Sequence, residues 1–335
     1  MSGIRSTVPR GSLRAHSKGG PACSAASRLL HESLSATAAP GIRWLLVEVA
    51  GAWGWNAFTD SPVLDPVIGR ALADRTHRAG VRLLAIRRPG RARGPVRWRW
   101  AVVDSRAGAE GTRWGEAETA GDLLDVPLDG STGIPSDRPL LAVCAQGRHD
   151  ECCAVRGRPV AATLAERYPD ETWECSHIGG DRFAATMILF PHALTFGRVD
   201  DLDPVRIVEE YLAGRVASEG FRGRASLPRV VQAAQRAAAE ADGDRRLDAH
   251  ALLRLQERPG AWLVDLAGDP PLRVLVEGVQ EGPLFTTCLA TVPVTVAGFR
   301  SAIEGAPTTG PLPDRSAAPV PPDRSGLHTT GGAPD

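Results

Sequence analysis

The chain contains six cysteines, and four of them, Cys144, Cys152, Cys153 and Cys175, share one short stretch with His177 and Asp181. Thiolate and imidazole are the donors that soft and borderline metals select, which points to zinc or to iron in an iron–sulfur cluster. Cys144 and Cys153 stand in a C-x8-C arrangement across a polar loop, with Cys152 beside the second. Zinc sites commonly use tighter pairs such as C-x2-C. A longer first loop followed by a separate second group, Cys175, His177 and Asp181, suits a larger object such as a two-iron rhomb with its sulfides. Gly179 and Gly180 let backbone approach closely and offer N–H groups to sulfur, one way of tuning a cluster's potential. Arg182, next in line, is counted with them on the cofactor side, or else pairs with Asp181 and makes that carboxylate structural.

Each of these residues also has a plainer reading. Cys144 at a strand end alone reads as a small buried hydrophobe; Cys153 and His177 nearby reverse that. Cys152 reads as a spare thiol, because adjacent residues on a helical turn point apart. Cys23 and Cys288 are distant in sequence and read as structural or free thiols. His149 and His192 sit in polar loops and read as solvated, and Trp53 and Trp55 read as packing residues.

The elements that must position the group follow from hydrophobic periodicity. Leu140–Cys144 is a short apolar strand ending on a cysteine. After the polar loop, Pro159 is placed as a first-turn proline opening an amphipathic run to Tyr168. Residues 172–176 form the next strand, residues 184–190 and 194–199 a hairpin, and Asp203 caps a helix that has Pro204 at its first position. Strand, helix, strand, loop, hairpin, helix is a thioredoxin-like order, and it places Cys144, Cys153 and the exit of the second strand at one edge of a sheet. Upstream, residues 44–49, 62–78, 81–86 and 96–103 read as strand, helix and two strands, an α/β layer with Gly90, Gly94, Gly108 and Gly111 marking loops. Downstream, helices are expected over 228–241 and 248–257, and strands over 261–266, 272–277 and 284–290. The expected organisation is a tail over 1–21, an α/β segment over 22–135, the thioredoxin-like segment over 136–214, an α+β appendage over 215–304, and a tail over 305–335. The composition of the tails cannot bury enough apolar area to fold.

With 43% hydrophobic and 23% charged residues, the chain can build a core without disulfides. Net charge is zero, which argues against a nucleic-acid partner. Lys18 is the only lysine, so the many arginines reflect a coding bias and carry little functional weight. No apolar run reaches bilayer-spanning length and the basic N-terminus lacks an apolar signal core, so no membrane partner and a cytoplasmic location are expected.

The sequence Val143-Cys144 through Cys152-Cys153-Ala154, the run Trp173-Glu-Cys-Ser-His-Ile-Gly-Gly-Asp-Arg-Phe-Ala184 and Tyr211 resemble the sucrase/ferredoxin-like family. Cys23-Ser, Trp44-Leu-Leu-Val-Glu48, Gly51-Ala-Trp-Gly54 and Phe221-Arg-Gly-Arg224 extend the resemblance over most of residues 22–290. It implies a thioredoxin-like ferredoxin domain with one [2Fe–2S] cluster. Its first ligand pair matches Cys144 and Cys153. Its second, H-x3-H in several members, matches His177 and the position of Asp181, so here an aspartate replaces a histidine. Either Asp181 completes the site or Cys175 or Cys152 does; Cys175 is the preferred substitute, since thiolate suits cluster iron better than carboxylate. The "sucrase" of the family name carries no expectation, because nothing singles out a pair of catalytic carboxylates.

The expected function is that of an electron carrier rather than a stand-alone enzyme. No G-x-G-x-x-G follows a strand, so a separate redox partner protein, a reductase or oxidase, is implied. The rivals are a thioredoxin-like thiol redox enzyme using Cys152 or Cys153 at a helix start, and a structural zinc module.

Overall fold

The computed structural model describes residues 19–90 and 97–304. The expected tails therefore fall largely outside the described residues, as does Gly94. The core is a ten-stranded mixed sheet in the order β10-β9-β8-β6-β7-β2-β1-β3-β4-β5. Its strands are β1 (Arg43–Glu48), β2 (Val81–Arg87), β3 (Trp98–Asp104), β4 (Gly111–Ala117), β5 (Ile134–Ser136), β6 (Leu140–Cys144), β7 (Thr172–Cys175), β8 (Met187–Phe190), β9 (Leu194–Phe196) and β10 (Phe221–Arg224). The segments expected on either side of residue 135 share this sheet. They meet where β2 runs antiparallel to β7, with Ile86 opposite Cys175 and Arg87 opposite Glu174.

The central strands are apolar on both faces because both faces are covered. β1 turns Trp44 and Leu46 to one side and Leu45 and Val47 to the other. β6 likewise sends Leu140, Ala142 and Cys144 to the first face and Leu141 and Val143 to the second. Helix α2 (Pro66–Arg78), capped by Asp65 with Pro66 in its first turn, covers the second face over β1 and β2 through Leu72. Helix α3 (Glu151–Arg167) covers it over β6 and β8 through Val160, Ala161 and Leu164, and α4 (Pro204–Leu212) completes that layer with Ile207, Val208 and Tyr211.

Helix α3 starts eight residues before the proline expected to open it. Asp150 supplies the cap, accepting from the backbone N–H of Cys152 at 2.9 Å, and Pro159 lies inside the helix. The helix rests on β6 at Gly157, where a Cβ would stand 2.0 Å from the Cys144 carbonyl oxygen. Only glycine permits that approach, and it seats the second turn of α3 over the end of β6.

The appendage is a four-stranded antiparallel sheet of β11 (Leu252–Arg258), β12 (Ala261–Leu266), β13 (Leu272–Leu284) and β14 (Val294–Ile303). Helix α5 (Arg229–Asp242) packs on it, placing Val230, Val231 and Ala234 against Val264, Leu266, Val274 and Val276. The helix expected over 248–257 is a strand, because Pro259-Gly260, with Gly260 at φ +74°, turns it into a hairpin with β12. The strand expected over 284–290 is instead the end of β13 and the connection that carries Cys288 to β14. At the N-terminus the short α1 (Cys23–Leu29) packs beside residues 181–183.

Candidate metal centre

Cys144 is the last residue of β6 and lies in register with Cys175 of β7. The backbone then turns through residues 145–150, closed by the N–H groups of His149 and Asp150 donating to the Gln146 carbonyl at 3.1 Å each. Cys153 follows in the first turn of α3. The C-x8-C spacing thus spans one loop and one helical turn, which brings Cys153 back over the end of β6. The neighbouring Cys153 holds the Cys144 thiol below the usual range against the opposing effect of burial. The proximity of Cys144, together with burial, pushes Cys153 up.

Asp181 joins this pair from the far side of the Gly179-Gly180 turn. The Cys153 thiol donates to its Oδ1 at 3.2 Å, and His177 Nδ1 stands 2.8 Å from the same oxygen. The His177 contact is close but not aligned as a hydrogen bond, so Nδ1 remains a buried nitrogen without a hydrogen-bonding partner. The His149 ring lies 4.0 Å from the His177 ring, with Nε2 3.8 Å from Asp181 Oδ2. Burial would lower His177, yet the Asp181 carboxylate raises it overall. Burial would in turn raise Asp181, and His177 overrides it to hold the acid below the usual carboxylate range. His149 is lowered by burial and by the charge of His177, so the two imidazoles favour one proton between them.

Gln146 ties the loops together: its Oε1 accepts from the His177 N–H at 2.9 Å and its Nε2 donates to the Trp55 carbonyl at 2.8 Å. Trp53 is buried, but Trp55 is 52% exposed and its ring leans on His149 at 5.0 Å. The cysteines form the buried floor of this group. His149 and His177, with side chains 25% and 31% exposed, form its open rim.

Other expected site residues lie elsewhere. Cys175 is fully buried in the sheet core beside Cys144. Among the described residues the donors that lie within reach of one ion here belong to His149, His177 and Asp181, a set that includes neither Cys175 nor Cys144 and Cys153. Arg182 pairs with Glu32 at 2.6 Å rather than with Asp181, so its guanidinium fastens the residues after α1 to the turn. Gly179 and Gly180 adopt φ of +95° and +85°. The Gly179 carbonyl accepts from the buried Arg222 guanidinium, and a Cβ on Gly180 would meet that group at 2.3 Å.

Cys152 points away from Cys153 and meets Cys23 and Cys288, with Asp150 alongside. All four are buried, so the chain contains a buried Cys/Asp group with donors close enough to bind one metal ion. Reading along the sequence did not gather Cys23 and Cys288 here. The available signal was the Cys152-Cys153 doublet itself: two neighbouring helical residues must face different surroundings.

A protein-family model described as sucrase/ferredoxin-like matches residues 36–223. No curated protein and no solved structure matches the chain. The matched span is more than half of the 335 residues and contains Cys144, Cys153, His177 and Asp181. The chain belongs to the sucrase/ferredoxin-like family.

Proposed function

We propose that this protein is a one-electron carrier holding a [2Fe–2S] cluster, with Cys144 and Cys153 on one iron and His177 and Asp181 on the other. The observation that carries the reading is the meeting, at one edge of the sheet, of the Cys153 thiol and the His177 imidazole nitrogen on one Asp181 carboxylate oxygen, with Cys144 at the adjoining strand end. The imidazole nitrogen and the carboxylate oxygen crowd together without a proper hydrogen bond. Two polar atoms that approach in this way are placed as ligands of one centre would be. The cluster, when bound, supplies a reversible one-electron couple, and histidine ligation raises its potential relative to an all-cysteine site.

The fold supports the same reading. β6, α3 and β7 form a parallel crossover, β8 and β9 an antiparallel hairpin on the other side of β6, and α4 follows; the strand order β9-β8-β6-β7 is the one a thioredoxin-like domain would have. Asp181 is the better fourth ligand than Cys175, because it already lies within reach of both His177 and Cys153. In this reading each residue has a distinct task. Gln146 fixes the His177 backbone, the cysteine floor excludes water, and His149 holds or releases a proton beside Asp181. The half-exposed histidine rim, flanked by Trp55, is the face at which a separate reductase or oxidase exchanges electrons.

The test is the visible spectrum of full-length protein purified without oxygen, followed by electron paramagnetic resonance after dithionite. Charge-transfer bands that bleach on reduction, with an S = 1/2 signal, are expected. They should disappear in Asp181→Ala and persist in Cys175→Ser. A featureless spectrum after reconstitution with iron and sulfide would overturn the reading.

A further inference from the structure

Three thiols meet at a point that the electron-carrier reading does not use. Cys23 Sγ lies 3.7 Å from Cys152 Sγ and 3.5 Å from Cys288 Sγ, and Cys152 and Cys288 are 3.3 Å apart. Asp150 presents Oδ2 at 3.7 Å and Oδ1 at 3.9 Å from Cys23 Sγ. Thiolates bound to one zinc ion at about 2.3 Å and tetrahedral angles stand about 3.8 Å from each other. The group is already close to those dimensions, slightly contracted on the Cys152–Cys288 side.

Ordinary packing does not account for this meeting. Apart from the three cysteines, its apolar environment consists of Ala184 and Ala22. So little apolar area provides a weak reason for three distant segments to converge. Cys23 opens α1, Asp150 and Cys152 belong to the start of α3, and Cys288 rides on the connection between β13 and β14, 265 residues from Cys23. The thiols have only weak partners, chiefly one another and the Ser24 hydroxyl, which donates to Cys152 Sγ at 3.1 Å. Asp150 is held rigidly, accepting from the N–H groups of Cys152 at 2.9 Å and Cys288 at 2.7 Å. The positive end of the 17-residue α3 also favours negative charge at this place.

We propose that Cys23, Cys152, Cys288 and Asp150 form a second, mononuclear metal site that takes zinc in tetrahedral S3O coordination. A closed site of four protein donors, with no position for water, is of the structural type. On binding, the three thiols release their protons to solvent and the ion bonds to three sulfurs and one carboxylate oxygen; no electron is transferred. The ion fastens the appendage and α1 to the turn of α3 whose next residue is Cys153.

Metal analysis of the full-length chain, grown with zinc and desalted without chelator, tests the site directly. About one zinc per chain is expected. Cys23→Ser and Cys288→Ser should each remove nearly all of the zinc while leaving iron per chain unchanged. Cys144→Ser should remove iron and leave zinc, so this proposal can fail without the first failing, and the reverse. Cobalt(II) added to reduced, zinc-stripped wild-type protein gives a readout that needs no variant, and intense tetrahedral d–d bands with sulfur charge transfer are expected. The proposal is overturned by zinc-free wild-type protein that gives no such bands, by zinc that survives Cys288→Ser, or by a disulfide among the three cysteines in freshly alkylated protein.

Discussion

Cys152 and Cys153 are neighbours on one helical turn, yet the groups they enter are built on opposite plans. The Cys153 group draws on adjacent elements of one sheet edge, mixes sulfur, nitrogen and oxygen donors, and opens through two half-exposed imidazoles. The Cys152 group draws on three remote segments, offers three thiols and a carboxylate, and is closed to solvent. Borderline donors at an open rim suit a centre that must exchange something with a partner. Closed sulfur coordination suits one that must stay put. On the two proposals, a single turn of helix separates an exchanging centre from a fastening one.

The most damaging way to break the comparison is to disturb what both groups share. Gly157→Leu forces a side chain into the Cys144 carbonyl and should cost about 3 kcal/mol, with loss of both iron and zinc. Thermal unfolding near the wild-type midpoint would contradict the packing argument. Glu32→Gln comes next. It strips the half-buried Arg182 of its buried carboxylate partner and should cost about 2 kcal/mol, read by chemical denaturation, because a charge-assisted hydrogen bond is lost. The loss should fall on the α1 side, so zinc should be depleted more than iron.

Asp150→Asn separates cap from ligand. The amide oxygen still caps α3, but the amide nitrogen then faces the Cys288 N–H that Oδ2 now satisfies, so stability should fall by about 1.5 kcal/mol while zinc binding weakens clearly. Retention of full zinc affinity would show that Asp150 orients the thiols without binding the metal. His149→Ala should leave the iron–sulfur spectrum in place and shift its reduction potential and pH dependence, read by a potentiometric titration.

The smallest effect is a background correction from outside both groups. Burial and the nearby Arg224 hold His192 below its ordinary value of 6.5. The unfolded chain therefore takes up the proton first, so the stability is present above pH 6.5 and is lost as the pH falls through the depressed value. His192→Asn should flatten the decline of the unfolding midpoint just below pH 6.5, and an unchanged pH profile would show that the native imidazole is not held neutral.

How much of this could be read from sequence follows from distance along the chain. β6, α4 and β12 carry periodicities and caps that no tertiary contact overrides, and Asp203-Pro204 marks the start of α4 by itself. The Cys144, Cys153, His177 and Asp181 group lies on consecutive elements, so topology alone puts it at one edge. The start of α3 was misplaced because Pro159 looks like an opening signal, whereas Asp150 provides the cap. β11 and β14 draw their identity from pairing partners, which local pattern does not record. The meeting of Cys23 with Cys288 needs the appendage to dock, and no spacing rule reaches across that much chain. Arg182 shows the same limit, since its carboxylate partner is Glu32 and not the adjacent Asp181.

The two halves of the ten-stranded sheet join at the seam between β2 and β7. It is a short antiparallel stretch, from Ala85–Ser176 to Arg87–Glu174, braced by the Arg87–Glu174 ion pair and by Arg88, which donates to the carbonyls of Pro169, Asp170 and Thr172. A mechanical load applied to one half of the sheet passes through it. Cys175 is one rung of that junction and Cys144 the next strand over, so a tug on the N-terminal half would reach the floor of the thiol pair before it reached the histidines.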